Sequence, residues 1–503
     1  MPESYRPIAL TSVTLKLLER LIYNRIVSEI ERVLPPGQAG FRKGRSCQEQ
    51  VLTLTNHIES GFQKRLKTGV VLIDLTAAYD TVWRNGLLFK LIKAVPCIRI
   101  CNIISSMLRD RLFQVLLNDQ KTRTRKLNNG LAQGSVLSCL LFNLYIHDLP
   151  QSRSRKFLYP DDMAYAFQHK LFSEISRILT NDMTAFVHFC KNWRLVPNLT
   201  KTVATCFHLT NQQALAELEV FFDGVKLRHE FAPVYLGVKL DRSLTYGKNT
   251  DKLKAKLGTR NNLMQKLACT TFGATAECLK ITALALVYSC AEYCCSTWLN
   301  SVHAEKIDTE LNKTMRIISG TVKSTPLAWL PALSNILPPP IRRQNALLKQ
   351  YRKVLNNPQI PLHYDFQEPI IKRLKSRKPP IVTAIELHHD DFNPKETWNS
   401  LWLDSGTNSP LFNFDTHQHN TSEFLLPRKI WCNLNRLRTG HGNCNDMLFK
   451  WKFTNNSSCT CGEPRQTTNH LLYDCPIFKY SGEMDDFINL TSEAIDYLLK
   501  LDL

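Results

Sequence analysis

The first strong pattern lies near the start of the chain, where Leu15, Leu18, Leu21, Ile22, Ile26 and Ile30 recur close to the helical period over residues 11–34. Pro35-Pro36-Gly37 ends that helix. A second amphipathic helix is expected over 47–66, through Val51, Leu54, Ile58 and Phe62. It leads into Val70-Val-Leu-Ile-Asp74, a β-branched run that stops at an acid and predicts a buried strand with a carboxylate at its end. In 157–167 the period changes to two: Tyr159, Met163, Tyr165 and Phe167 suit a strand, and two apolar runs meet at Asp161 and Asp162. The pattern predicts a β-hairpin with both acids at its tip. Residues 171–193 return to helical spacing, ending near Trp193, and 250–320 is helical throughout. Pro326, Pro331 and Pro338-Pro339-Pro340 then place a boundary near 325–345.

An Asp-Asp turn is common for local reasons, because Asp hydrogen-bonds nearby backbone. A second strand-end acid upstream changes the picture. If the two strands lie side by side, Asp74 comes beside Asp161, and carboxylates that close repel unless divalent cations stand between them. Such an arrangement outlines a two-metal phosphoryl-transfer site.

Further motifs extend this. Phe157-Leu-Tyr-Pro-Asp-Asp162 resembles the Tyr-x-Asp-Asp box of reverse transcriptases, and Asp74 with Tyr79 resembles the polymerase A motif. Gly130-Leu-Ala-Gln-Gly-Ser-Val-Leu-Ser-Cys-Leu-Leu-Phe-Asn143 is similar to the B motif of non-LTR (LINE-type, jockey-like) retrotransposon polymerases. Tyr5 to Leu10, Gln38 to Ser46, Asn198 to Thr202 and Tyr235 to Asp241 follow in the family's order over the first half of the chain.

The resemblance implies an α+β right-hand fold of fingers, a palm with an antiparallel sheet and a helical thumb, with a mostly helical C-terminal region. Fingers and palm are expected over 1–245, the thumb over 246–325, a segment of unknown role over 326–430 and a Cys/His module over 431–503. The implied activity is RNA-directed DNA polymerisation from an RNA template, a DNA primer and dNTPs, with a catalytically inactive nucleic-acid-binding remnant as the alternative. Asp74, Asp161 and Asp162 would hold two Mg²⁺ ions, with Mn²⁺ as a substitute, and Lys201 would protonate the leaving pyrophosphate. Arg6, Tyr79, Gln133 and Gly134 would meet the nucleotide, and the basic loop Arg42, Lys43 and Arg45 the nucleic-acid backbone. Each of these residue types also has an ordinary structural use, as a surface cation or a core tyrosine. Gly130 and Gly134 would allow close backbone approach, Ser135 would cap the next helix, and Tyr235 to Val238 would grip the primer.

Three positions depart from the family: Ala132 and Cys139 stand where it usually has Pro, and Pro160 where it has a small residue. Proline lacks an N–H, so a hairpin bond lost at Pro160 would disturb the acids, and Pro160→Ala is then expected to speed extension at least tenfold. Met1 to Arg6 runs straight into a fingers motif, so the chain reads as truncated, without the endonuclease family members carry upstream.

Lys plus Arg number 64 against 44 Asp plus Glu, a net charge of +20 that favours a polyanionic partner. Basic positions from Arg109 to Lys126 and on the helix from Lys252 to Lys266 fit template or primer phosphates as well as solvated faces. The most membrane-like run, Ile281 to Leu299, carries Glu292 and several polar residues, so no membrane span is expected. Sixteen cysteines without a visible secretory signal point to a reducing, intracellular compartment, cytoplasm or nucleus. In the tail, Cys459, Cys461, His470 and Cys475 offer three thiolates and an imidazole, suited to zinc or to plain burial. His441 and Cys444 compete as ligands, beside an Asn435 to His441 segment like one that precedes such clusters in related elements.

Overall fold

Apolar residues three or four apart give α1 (Val13–Val33) its inward face: Ile22, Ile26 and Ile30 are buried, with Glu19 one turn before them. Leu18 and Leu21 fall off that stripe and stay 42% and 55% exposed. Ser12 opens the helix, its hydroxyl accepting from Leu15 N at 3.2 Å, and Leu34 turns extended ahead of Pro35. α2 (Cys47–Gln63) starts on Ser46, whose hydroxyl accepts from Glu49 N, and buries Val51, Leu54, Ile58 and Phe62.

The computed structural model describes residues 8–269, 271–367, 373–375, 377–415 and 422–503. Two compact units divide the chain, one holding the segment up to Thr245 with Arg352–Ile381, the other Tyr246–Tyr351 with Val382–Leu503.

In the first unit α2 leads to β1 (Lys67–Ile73), then α3 (Arg84–Ala94) and α4 (Ile98–Leu108). An outlying arm follows, of β2 (Arg111–Phe113), β3 (Leu116–Leu117), β4 (Gln120–Lys121) and β5 (Arg125–Leu127). After α5 (Ser138–Tyr145) come β6 (Arg155–Tyr159), β7 (Asp162–His169), α6 (Phe172–Trp193) and β8 (Val203–Phe207). Short strands β9 (Phe221–Phe222), β10 (Val225–Lys226), β11 (Arg228–His229), β12 (Val234–Tyr235) and β13 (Val238–Lys239) complete it. The main sheet has the order β11-β8-β1-β7-β6, antiparallel except where β11 runs parallel to β8. β1 is central, so Val70, Val71 and Ile73 are buried as its β-branched run predicts. α6 covers the sheet, with Phe186 edge-on to Tyr165 of β7 at 5.9 Å. Residues 352–381 return to this unit: Asp365 pairs with both guanidinium ends of Arg155 at 2.9 Å, and Val354, Ile360 and Leu362 pack on Leu52.

In the second unit α7 (Gly247–Leu267) buries Leu257, Asn261 and Met264 and exposes Lys252, Lys254, Lys256 and Lys266. The helix Glu305–Ser319 packs on it, Thr314 donating to Asn261 Oδ1 at 2.6 Å. A helix leaves its last carbonyls unpaired. Here the helix Arg428–Thr439 meets them: Arg428 and Trp431 donate to Ile318 O at 2.7 and 2.9 Å, Asn435 to Ser319 O at 2.8 Å and Arg436 to Gly320 O at 3.0 Å. The Asn435 to His441 segment is thus largely a buried clamp. The run Ile281 to Leu299 is broken into short helical pieces around Cys294, and no helix among the described residues is long and apolar enough to cross a membrane.

Candidate active site

β1 and β7 pair in a register that sets Ile73 opposite Met163, so the next step along β1 brings Asp74 opposite Asp162. β6 and β7 pair as far as Tyr159 and Asp162, leaving Pro160 and Asp161 as a two-residue loop. The acids therefore stand at the sheet's edge, as the alternation predicts. Asp74 is held from below by its own backbone: its N–H donates to Thr202 Oγ1 at 3.3 Å, and its carbonyl accepts from Asn198 N at 2.8 Å. Asn198 Oδ1 in turn accepts from Thr200 N and Oγ1, shaping the turn that carries Lys201. Lys201 Nζ lies 3.8 Å from Asp74 Oδ2. Asp74, Asp162, Lys201, Glu230, Tyr235 and Lys239 line one cavity of about 430 Å³. Its far wall is the β12–β13 hairpin, which turns on Leu236 and Gly237, both at positive φ. The motif Asn198 to Thr202 was legible in the sequence with Lys201 as its chemical residue, but the hold of Asn198 and Thr202 on the Asp74 backbone was not, although Asn198-Leu-Thr200 has the form of a turn.

Asp161 is half-buried on the side of Tyr79. Burial pushes the Tyr79 phenol up, and the Cys139 thiol and the Asp161 carboxylate push it further. The Tyr79 ring stacks on Phe142 at 4.7 Å. Cys139 thus sits against the tyrosine and leaves α5 intact.

The B-motif loop is tied to this strand end: Leu131 N donates to Tyr79 O at 2.8 Å and Gly130 N to Val82 O at 2.9 Å. Gly130 and Gly134 have φ of +84° and +111°, and a Cβ on Gly130 would lie 2.6 Å from Asp80 O. Gln133 Nε2 reaches the Asp80 carboxylate at 3.3 Å and the Gln133 carbonyl accepts from Ala9 N at 2.7 Å. Ser135 does not cap α5. Its hydroxyl donates to the buried Glu19 at 2.7 Å, and Glu19 also accepts from Val136 N at 2.7 Å. Glu19 of α1 thus takes the Val136 N–H just ahead of α5.

Pro160 takes no part in the β6–β7 ladder, so the bond expected to be lost there does not exist. It occupies the first loop position, where proline's φ suits a tight turn. Its ring is buried against Gly40.

The basic loop divides. Arg42 turns inward, donating to Glu31 at 2.8 Å and to the carbonyls of Pro35 and Gln38. Arg45 pairs with buried Glu49 and with Pro36 O, and Lys43 is the one left to solvent. Arg6 lies outside the described residues.

In the tail the ligand atoms of Cys459, Cys461, His470 and Cys475 all lie within 4.8 Å of one another. Cys459 Sγ is 3.8 Å from Cys475 Sγ and Cys461 Sγ 3.2 Å from His470 Nε2. Burial opposes ionisation of Cys459, but the Cys461 N–H and the side chains of Gln466, Cys461 and His470 outweigh it and bring the thiol down to about 6. His441 meets Ser324 Oγ at 3.2 Å and Cys444 faces Gly442 O, so neither competes for the cluster. Among the described residues this is the one group of three or more Cys, His, Asp or Glu so gathered.

A family model described as reverse transcriptase (RNA-dependent DNA polymerase) matches residues 2–240. Over these residues, a little under half of the chain, the sequence is similar to reverse transcriptases. The chain is 38% identical over 278 residues to a probable RNA-directed DNA polymerase from transposon BS of Drosophila melanogaster, covering 53% of this chain and 30% of that protein. It is 30% identical over 277 residues to the RNA-directed DNA polymerase from mobile element jockey of Drosophila funebris, with the same coverage of 53% and 30%. A match of 21% identity to a Pol polyprotein from type-1 retrotransposable element R1 of Bradysia coprophila covers 95% of this chain and 47% of that one. The chain spans about a third to a half of these relatives' length. The reverse transcriptase match contains the acid-bearing strands, the B-motif loop and the Lys201 turn, and the R1 match carries the likeness into the second unit.

Proposed function

We propose that the chain is an RNA-directed DNA polymerase of a non-LTR retrotransposon, extending a DNA primer on an RNA template with dNTPs. The observation that carries this is the pairing of β1 with β7, which sets Asp74 against the Asp161-Asp162 turn and aims Lys201 at the same cavity. On this reading the first unit supplies fingers and palm, and the helices from α7 the thumb. Three carboxylates at adjacent strand ends are a hard oxygen donor set that fits magnesium. When bound by Asp74, Asp161 and Asp162, two such ions supply activation of the primer 3′-hydroxyl and neutralisation of the triphosphate.

The chain's own residues do the rest. Asn198 and Thr202 fix the backbone of Asp74, so its carboxylate is positioned before substrate arrives. Lys201 stands within reach to hand a proton to the departing pyrophosphate. Tyr79, held flat on Phe142, offers its ring to the sugar of the incoming nucleotide. Gln133 and Gly134, on a loop hung from the Tyr79 carbonyl, meet the base or template backbone, and the β12–β13 hairpin meets the primer. Lys43 and the exposed lysines of α7 contact phosphates. The tail cluster is proposed to hold one zinc through Cys459, Cys461, His470 and Cys475, since three sulfurs and one nitrogen this close form a tetrahedral donor set. Primer extension with magnesium separates this reading from an inactive nucleic-acid-binding remnant: the polymerase extends, and the remnant only binds.

A further inference from the structure

Residues 112–126 are exposed without exception, yet they form two successive strand pairs, β2 with β5 and β3 with β4. Asn118 and Asp119, both at positive φ, turn the chain at the tip. Arg111↔Leu127 and Phe113↔Arg125 are register partners, so Arg111, Phe113 and Arg125 share a face. Gln114 donates to Thr124 at 3.1 Å across the other. Leu112 and Leu117 are 67% and 68% exposed, and Val115 and Leu116 about half. From 109 to 127 there are six basic residues and two acids, and one acid, Asp110, is taken by Lys126 at 2.6 Å. Arg109, Arg111, Lys121, Arg123 and Arg125 remain against Asp119. Arg84 fixes the root, donating to Leu127 O at 2.6 Å and to Gly130 O at 3.0 Å, so the arm is anchored to the loop that carries Gln133 and Gly134.

Phosphate contacts alone would use the bases and leave Phe113 in water. A single strand uses both, since its unstacked bases lie on aromatic rings and guanidinium planes while cations follow the backbone. We propose that the β2–β5 arm binds single-stranded RNA, stacking bases on Phe113 and on the Arg123 and Arg125 planes and holding phosphates with Arg109, Arg111 and Lys121. This deepens the polymerase reading and rests on it for the identity of the strand, which is unpaired template.

The test is fluorescence anisotropy of the full chain with a labelled oligo-U RNA of roughly 16 nucleotides and with an RNA–DNA duplex of the same length. Phe113→Ala should weaken single-strand binding by about tenfold, with duplex affinity kept within about twofold and Phe113→Tyr restoring the wild-type value. Arg109→Gln with Lys121→Gln, which removes two phosphate contacts, should lower the slope of log affinity against log salt by about 1.4. Both sites are exposed, and unchanged melting of each variant confirms its fold. Wild-type single-strand affinity in these variants, or equal loss on the duplex, would overturn the proposal. So would Phe113→Ala that spares RNA but abolishes binding to vesicles of phosphatidylcholine and phosphatidylserine, which would assign the arm to a lipid surface. Asp74→Asn, run in parallel, should bind the single strand like wild type. If wild type binds the strand but extends no primer, the polymerase reading fails, whatever the arm does, and extension by Asp74→Asn would take Asp74 out of the site.

Discussion

Gly40→Ala puts a methyl group against the Pro160-Asp161 turn. An ideal Cβ at Gly40 lies 1.9 Å from Pro160 Cδ and 2.5 Å from Pro160 N, where ordinary contact begins near 3.4 Å. Either the Gly40 loop or the turn has to retreat by about 1.5 Å. The loop is pinned: Ala39 N donates to Leu158 O at 2.8 Å, Leu158 N to Gly37 O at 3.1 Å, and Asn143 Nδ2 to Gly40 O at 2.8 Å, with Gln38 Nε2 holding the other end of the same amide at 2.9 Å. The turn carries no ladder bond at Pro160, so it yields, taking Asp161 with it. A displacement of about 1 Å costs on the order of a hundredfold where chemistry depends on positioning. Gly40→Ala should therefore slow single-turnover extension by about a hundredfold or more, lower stability by roughly 1–3 kcal/mol and leave RNA affinity within about twofold. Adding Pro160→Ala removes the ring contacts but not the 2.5 Å backbone contact, so the double variant should recover part of the rate. A folded Gly40→Ala protein that extends within about threefold of its parent would refute the coupling of this loop to the acids.

Pro160→Ala by itself restores no ladder bond, so its extension rate should stay within about threefold of wild type, in place of the tenfold gain expected from sequence. For zinc, metal analysis of protein purified without chelator should find one ion per chain, and a chelator or Cys475→Ser should melt the tail at lower temperature while the first unit stays folded. No zinc would count against the cluster as a site. Burial, then Arg155 and Lys64, hold the His57 imidazole down at about 3, against 6.5 when unfolded. A depressed base keeps its full stability above 6.5 and loses it as pH falls toward 3, by about 1.4 kcal/mol per unit within that window. His57→Leu should flatten this part of the pH dependence, and urea midpoints at pH 7.5 and 5 that shift equally in both proteins would contradict it.

The elements around the candidate site were legible because their signals are local. The Asp74 strand, the hairpin with its turn at Pro160-Asp161, and the helices ending at Val33 and Trp193 follow from period, proline and β-branching alone. Side-chain allegiance was not legible. Arg42 and Arg45 sit in a loop whose composition suggests a nucleic-acid face, yet Glu31 and Glu49 on the flanking helices draw both inward. Arg428 and Arg436 look like surface cations and are buried, because the carbonyls they satisfy belong to a helix more than 100 residues earlier. The return of 352–381 rests on contacts such as Arg155 to Asp365, 210 residues apart, for which no local period exists. Pro338-Pro339-Pro340 reads as a boundary, but Pro339 begins a helix, as do Pro361, Pro380 and Pro394 further on, where the missing N–H costs nothing.

Primer extension by Asp74→Asn on a poly(rA) template with an oligo(dT) primer and magnesium tests the central claim most directly. Asp74 ends the strand that pairs with the acid-bearing hairpin, and the exchange keeps its shape while removing one ligand charge. Extension should fall by at least about a thousandfold, with single-stranded RNA affinity and melting temperature unchanged. Undiminished extension by folded Asp74→Asn would contradict the assignment of this sheet edge as the polymerase centre.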